Sequence, residues 1–281
     1  MVSPMEHPVV SPMVCRSVTE EDCDHYWEYG WVKLKGFVDP DVVRSMLAIA
    51  KERMGEDGDS NQGRDRGDRA GKEGLSYYSP EYSHGLENPV IRPVIEAAGR
   101  AAKVLMGRGD SGVNARYYSD LFAPKLPSSK ATRHGGNGPT GFHQDYITLS
   151  VDRSDGMSMW FPLEAYGPEY GTMSFVNGSH RRGVLGDHTT YGAGDAIDTY
   201  PALRDLTMSE PMTYELGDIS AHTHLTVHGA GANVTDSPRW AYIFIVQPSD
   251  ARWTGAPSPT FSALTMKPWE PLPDDRFPVV S

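Results

Sequence analysis

Apolar and polar positions change period along the chain, from helical near the start to strand-like afterwards. Thr19-Glu20-Glu21 precedes a segment with Tyr26 and Trp27 at apolar positions and Gly30 at its end, which predicts a first helix. Trp31-Val32-Lys33-Leu34 then alternates as a strand. Asp39-Pro40 opens a second helix over 42–54, with Val43, Met46, Leu47 and Ala50 on one face, and helical spacing returns over 91–106. From Asn114 onward the pattern predicts short strands over 114–118, 147–151, 157–163, 172–176, 212–216, 220–227 and 239–246, with turns or loops at 167–171 and 178–183. Helices gathered at the start and many short strands after them predict a mainly β fold. The expected form is a double-stranded β-helix, a jelly-roll or cupin-like barrel with helices packed on one sheet.

The stretches without period are as informative. Residues 1–16 read as a loose arm, and 253–281, rich in proline, as a C-terminal wrap around the outside. Residues 55–74 and 186–206 are polar and Gly- and Asp-containing, and are two candidate lids over a substrate. Residues 123–140 form a loop carrying Lys125, Lys130, Arg133 and His134, a local basic cluster suited to an anionic group or to plain solvation. All of this is compatible with one domain over 1–281.

Composition narrows the partners. With 281 residues and a formal net charge of −11, the chain lacks the basic footprint that nucleic acid or an anionic membrane requires, so a small molecule is the expected partner. Cys15 and Cys23 are too few for a disulfide framework, and neither a signal peptide nor a spanning apolar run is visible, which suits a cytoplasmic protein. The oligomeric state is open, and a homodimer is compatible with the sequence.

Candidate chemistry centres on Gly141-Phe142-His143-Gln144-Asp145. His and Asp two residues apart on extended backbone point to one face and can share a metal ion. Two imidazoles and one carboxylate on one octahedral face suit an iron that must keep positions open. A second cluster, Asp218 to Arg239, offers His222, His224 and His228 on one face of a regular strand, and spacing alone does not choose among them. Arg239 follows His228 by eleven residues, across Gly229, Gly231 and Asn233. A guanidinium returned there on the next strand can hold the far carboxylate of a dicarboxylate cosubstrate in a bidentate fork. Phe142, Tyr146 and Trp160 are candidates to line a substrate pocket, against the commoner reading of strand aromatics as core.

The order of these pieces resembles the phytanoyl-CoA dioxygenase-like (PhyH) family of iron(II)- and 2-oxoglutarate-dependent oxygenases, from about Ser17 to Gln247. The marks are Thr19-Glu20-Glu21 through Tyr29-Gly30-Trp31-Val32, His143-Gln144-Asp145, Trp160-Phe161-Pro162-Leu163, the turn from Glu169 to Gly171, Gly178-Ser179-His180-Arg181, and Gly217-Asp218 through His228, Asn233 and Arg239. Asn177 stands where relatives often have proline. The resemblance implies His143, Asp145 and His228 as metal ligands and Arg239 as the anchor of 2-oxoglutarate, with Tyr118 or Thr172 as assisting hydroxyls. It leaves His224 beside the site, His222 structural, and His134, His180 and His188 in loops. The implied cofactors are Fe(II), 2-oxoglutarate and O2.

The implied reaction is oxidative decarboxylation of 2-oxoglutarate to succinate and CO2 coupled to hydroxylation of an unactivated C–H bond. The expected substrate is a mid-sized, largely apolar metabolite such as a terpenoid or polyketide intermediate. Desaturation, epoxidation, rearrangement or acyl-CoA hydroxylation are alternatives within the class. Related halogenases carry a small residue at the position of Asp145, so halogenation is not expected. A non-oxygenase metal-binding jelly roll, or a silent binding module, is the reading from another class; Arg239 discriminates against the first, which has no need of it.

Overall fold

The computed structural model describes residues 14–58, 85–107, 112–130, 136–186, 195–261 and 264–281. Three helices come first or early: α1 (Glu20–Tyr29), α2 (Pro40–Met54) and α3 (Ile91–Leu105). Thr19 caps α1 in a reciprocal box, its Oγ1 accepting from the Asp22 amide at 3.2 Å while Asp22 Oδ2 accepts from the Thr19 amide at 2.9 Å. Gly30, at φ 83°, ends the helix in the left-handed region. A Cβ there would lie 2.3 Å from His180 Nδ1, so the chain also needs glycine for space. Asp39 caps α2, with Pro40 where a missing amide proton costs nothing.

Among the described residues there are eight strands in chain order: β1 (Trp31–Leu34), β2 (Ala115–Phe122), β3 (Thr140–His143), β4 (Met157–Pro162), β5 (Met173–Phe175), β6 (Ile219–Thr223), β7 (His228–Ala230) and β8 (Ala241–Pro248). They form two antiparallel sheets among the described residues, in the orders β1-β6-β4-β8-β2 and β3-β7-β5. This is the mainly β, double-stranded β-helix architecture, built as two sheets rather than one closed ring of hydrogen bonds.

Alternation sorts the large sheet into two faces. Met157, Met159, Phe161, Ala221, Tyr242, Phe244 and Val246 join Val43, Met46, Ile95 and Ala98 of the helices in the main core. The opposite face carries Ser158, Trp160, His222, Ile243 and Ile245, and looks onto a cavity closed on the other side by the small sheet.

Several segments depart from their expected form. Residues 147–151 are not a strand: Asp145–Thr148 is a single 3-10 turn, drawn in by Thr148 Oγ1 donating to the Asp145 carbonyl at 2.9 Å and the Leu149 amide to Tyr146 at 3.1 Å. Residues 212–216 form no ladder either; Tyr214 makes one isolated bridge to Tyr166. The expected strand over 220–227 breaks after Thr223, where the Thr226 amide turns back onto Thr223 and Thr226 Oγ1 donates to the Gly30 carbonyl. His228 therefore opens a strand of the other sheet. Residues 195–206 contain a short helix, α4 (Ala196–Thr199), and a turn over Pro201–Leu203.

The C-terminal wrap does more than cover the outside. Leu272 and Phe277 are buried with Tyr118 and Phe261, and the Val280 amide donates to Ala115 on β2 at 2.9 Å. Of the two candidate lids, 59–74 and 187–194 lie outside the described residues, as do 1–13 of the N-terminal arm. No helix among the described residues is long and apolar enough to cross a membrane.

Gly99 gives a test of how the C-terminus docks. A Cβ on this helical residue would meet the Val280 carbonyl oxygen at 2.5 Å. Alanine gains about 1 kcal/mol of helix propensity, but overpacking against backbone costs about 1–3 kcal/mol. Gly99→Ala is expected to lower the denaturant midpoint; a raised midpoint in equilibrium unfolding would show that the C-terminus yields freely.

Candidate metal centre

β3 and the residue after it deliver the first two side chains. Gln144 continues the extended backbone of β3, at φ −103° and ψ 134°, so His143 and Asp145 fall on one face and Gln144 on the other. Gln144 is buried there, donating to the carbonyls of Gly183 and Leu225 and accepting from the Leu185 amide, which fixes the strand end. Pairing of His143 with His228 across β3 and β7 brings in the third side chain.

The donor atoms converge. His143 Nε2 lies 3.4 Å and His228 Nε2 3.6 Å from Asp145 Oδ1, and one donor atom from each residue fits within a 4.8 Å group. With metal–ligand bonds of about 2.1 Å, neighbouring donors at a right angle sit about 3 Å apart, so a small contraction suffices. His143 Nδ1 lies 2.8 Å from the Gly141 carbonyl and His228 Nδ1 3.0 Å from that of Thr226. Each ring thus places its proton on Nδ1 and offers an Nε2 lone pair to the shared point.

The electrostatics suit a cation. Burial disfavours charge on Asp145, but the imidazoles of His228, His143 and His222 crowd around it and hold its carboxyl well below the usual range. Burial, with His222 beside it, pushes His228 well below its ordinary value, leaving a neutral ring. For His143 burial works downward as well, yet the hydrogen bond and charge of Asp145 win and raise it. A divalent ion takes the place of the proton that His143 otherwise shares with Asp145, and so meets two imidazole lone pairs and one carboxylate.

These atoms open onto a cavity of about 330 Å³. Its mouth is at Thr140 and the exposed Thr148; its walls are Leu121, Met173, Ile243 and Ile245, and Arg239 lines its buried end. Arg239 donates to the carbonyls of Gly171 at 2.9 Å and Ala123 at 3.2 Å, and its guanidinium lies 5.2 Å from the Trp160 ring centre. Lys125 is paired backbone to backbone with Arg239, and burial together with that neighbouring charge lowers its amine to about 7.

With this geometry in view, the comparisons decide the family. The family model for phytanoyl-CoA dioxygenase (PhyH) matches residues 26–241. The chain belongs to the phytanoyl-CoA dioxygenase family. Among curated proteins it is similar to a probable alpha-ketoglutarate-dependent hypophosphite dioxygenase of Stutzerimonas stutzeri, 22% identical over 74% of this chain and 71% of the relative. Among solved structures it is similar in fold to SnoK, a non-heme alpha-ketoglutarate-dependent carbocyclase from nogalamycin biosynthesis, with a TM-score of 0.71, 24% identity and coverage of 97% of this chain and 100% of that one. The epimerase SnoN, solved with Fe3+, alpha-ketoglutarate and nogalamycin RO, gives a TM-score of 0.70 at 22% identity, covering 93% and 98% of the two chains. This family member is an oxygenase of the iron- and 2-oxoglutarate-dependent type, and its donor set fits that metal.

The remaining expected site residues divide. Trp160 lines the cavity. Phe142 does not: it alternates to the outer face of β3 and packs with Val176, Ala196 and Val227. Tyr146 is turned out by the 3-10 turn and donates its hydroxyl to the Val151 carbonyl. Tyr118 lies edge-on to Phe261 at 6.1 Å and stacks on Phe277 at 5.7 Å, outside the cavity wall. Thr172 is buried behind Met173, its neighbour on the wall, and is not itself a lining residue. His222, expected to be structural, reaches the site: its Nε2 lies 3.2 Å from Asp145 Oδ2. Ser158, unremarked in the sequence, donates to the same oxygen at 2.6 Å. His134, Arg133 and His188 lie outside the described residues.

His224 packs beside the site, facing Gln247 and Gly156, and burial lowers its ring to about 4. Between an unfolded value of about 6.5 and 4, the unfolded chain binds a proton that the folded chain excludes. Stability is therefore full above pH 6.5 and falls as the pH drops toward 4, by roughly 3 kcal/mol from this group. His224→Gln is expected to flatten that part of the stability–pH profile in denaturant titrations; an unchanged slope would assign the acid sensitivity elsewhere.

Proposed function

We propose that the chain oxidises an unactivated C–H bond of a mid-sized, largely apolar metabolite, with iron(II) held by His143, Asp145 and His228 and with 2-oxoglutarate as cosubstrate. The observation that carries this reading is the meeting of three donor atoms on one cavity whose buried end bears Arg239. Iron, when bound, supplies the oxidative decarboxylation of 2-oxoglutarate to succinate and CO2 and the oxidising power that the C–H bond requires. The protein's share is to bind, orient and shield. Arg239, already aligned by the Gly171 and Ala123 carbonyls and by Trp160, takes the far carboxylate of the cosubstrate in a charge-assisted fork. Leu121, Met173, Ile243 and Ile245 make the walls between the two ends apolar and limit water in the cavity. The metabolite approaches by the Thr140 and Thr148 mouth.

An apolar wall and the likeness to two nogalamycin-pathway enzymes support a natural-product substrate such as a polyketide or terpenoid. Hydroxylation is the proposed outcome. Rearrangement is the second reading, favoured by the carbocyclase and epimerase among the structural neighbours. An acyl-CoA substrate is disfavoured because, among the described residues, the candidate bases that could meet its phosphates are engaged elsewhere. Lys130 pairs with Asp57, Arg182 with Asp205, Arg181 donates to the Trp27 carbonyl and Lys125 to that of Gly231. We further propose that the 281 residues act as one oxygenase domain in the cytoplasm.

Anaerobic titration of the metal-free protein with iron(II) and 2-oxoglutarate tests the site. A visible charge-transfer band is expected in the wild type. Arg239→Ala is expected to weaken 2-oxoglutarate binding by about 2–5 kcal/mol, the cost of removing one partner of a desolvated charge pair. Iron uptake without a band would sink the cosubstrate assignment. Succinate release across a panel of polyketide, terpenoid and acyl-CoA compounds then discriminates the substrate classes.

A further inference from the structure

His222 and Ser158 face each other across the β4–β6 ladder, as direct register partners. Side chains so paired project from the same face within reach of a common atom. Here the common atom is Asp145 Oδ2, 2.6 Å from Ser158 Oγ and 3.2 Å from His222 Nε2. The other oxygen, Oδ1, is the one that faces the Nε2 atoms of His143 and His228. The carboxylate is thus split between two tasks.

The tautomer of His222 follows from its surroundings. Its Nδ1 is buried without a hydrogen-bond partner among the described residues. A neutral ring carries one N–H. A proton on Nδ1 would be a buried donor with nothing to bond, and would leave the Nε2 lone pair facing a carboxylate oxygen. The proton therefore belongs on Nε2, donated to Oδ2. The ring is held in that orientation by His228 and Phe175, whose ring centres lie 4.1 and 5.5 Å away. His222 and Ser158 are 2% and 3% exposed, so neither hydrogen bond competes with bulk water.

We propose that His222 and Ser158 are positioning residues that occupy Asp145 Oδ2 and so present the carboxylate to the metal through Oδ1 alone. An oxygen that accepts both a hydroxyl and an imidazole proton has its lone pairs committed, which disfavours two-oxygen chelation by Asp145 and leaves coordination positions for the cosubstrate. His222 is not a fourth ligand in this arrangement, because its nitrogen is aimed at the oxygen turned away from the other two imidazoles. The inference rests on the proposed reading of His143, Asp145 and His228 as metal ligands.

Cobalt(II), added anaerobically to the metal-free full chain and followed by its ligand-field absorption, provides a test that needs no substrate. The variants are His222→Phe, which keeps a ring but no donor, His222→Gln, which keeps an N–H donor but no ring, Ser158→Ala, and Asp145→Ala. Circular dichroism checks that each folds. His222→Phe and Ser158→Ala are expected to bind cobalt about 10- to 100-fold more weakly, as loss of a partner behind a ligand usually does, with altered ligand-field bands. His222→Gln is expected to recover most of the affinity. Wild-type affinity and spectrum in His222→Phe, or a His222→Gln variant as weak as the Phe one, would overturn the proposal. If His222→Phe does not fold, Ser158→Ala against Ser158→Thr decides by the same readouts: weak binding restored by threonine supports it, and wild-type binding in the alanine variant overturns it. Asp145→Ala separates the two levels, since wild-type cobalt binding in that variant, or none in the wild type, would refute the ligand set itself.

Discussion

The register of the central strand β4 between β6 and β8 is the constraint on which the site depends. Side chains alternate with period two, so a slip of one residue would exchange the two faces of that strand. Ser158 and Trp160 would turn toward the helices, away from His222, Ile243 and Ile245, and Met157, Met159 and Phe161 would turn toward the cavity. The apolar set has an obligatory destination against α2 and α3. Burying three side chains of that size is worth several kcal/mol, far more than a single polar contact in the cavity contributes. The core therefore holds the register, and the site residues on the opposite face inherit it.

The two faces also explain which parts of the molecule were legible in the sequence. Helices α1, α2 and α3 announce themselves through Thr19, Asp39-Pro40 and apolar spacing, and the strands packed against them, β1, β4 and β8, are mostly apolar. Residues 147–151 and 212–216 have the same apolar look, but their backbones bond locally or make one bridge, a competition that side-chain pattern does not reveal. Val151 and Tyr214 are buried all the same, so the hydrophobicity was real and only the hydrogen-bonding inference failed.

His143, Asp145, His228 and Arg239 stood out in the sequence because each lies in a short local motif, and the fold brings all four to one cavity. The second rank did not stand out. Treating 220–227 as one strand put His222, His224 and His228 on a common footing, whereas the turn at Thr223–Thr226 sends His228 to the small sheet and leaves His222 on the large one. Thr223 and Thr226, which bond each other and Gly30, were the available signal for that break. Ser158 had no local signal: its importance comes from pairing opposite a residue sixty-four positions away in the chain. Phe142 and Tyr118 pack in apolar layers behind the cavity rather than on its wall, as strand aromatics commonly do, and Tyr146 bonds to the Val151 carbonyl.

Polar groups cross the space between the two sheets at its two ends, and both do so under strong local compulsion. At the mouth, Asp145, beyond the end of β3 in the small sheet, is gripped by Ser158 and His222 of the large one. At the buried end, Arg239, leading into β8 of the large sheet, donates to the Gly171 carbonyl at the turn before β5 of the small one. A buried charge left without partners costs several kcal/mol, so each crossing fixes the spacing of the sheets where it stands. The walls between them, Leu121, Met173, Ile243 and Ile245, are apolar and carry no such direction. The cavity is therefore rigid in polarity at its two ends and adaptable in shape along its sides. A carboxylate at one end and a guanidinium at the other are held at a separation that the two sheets fix, while the apolar walls between them can change shape without moving either end.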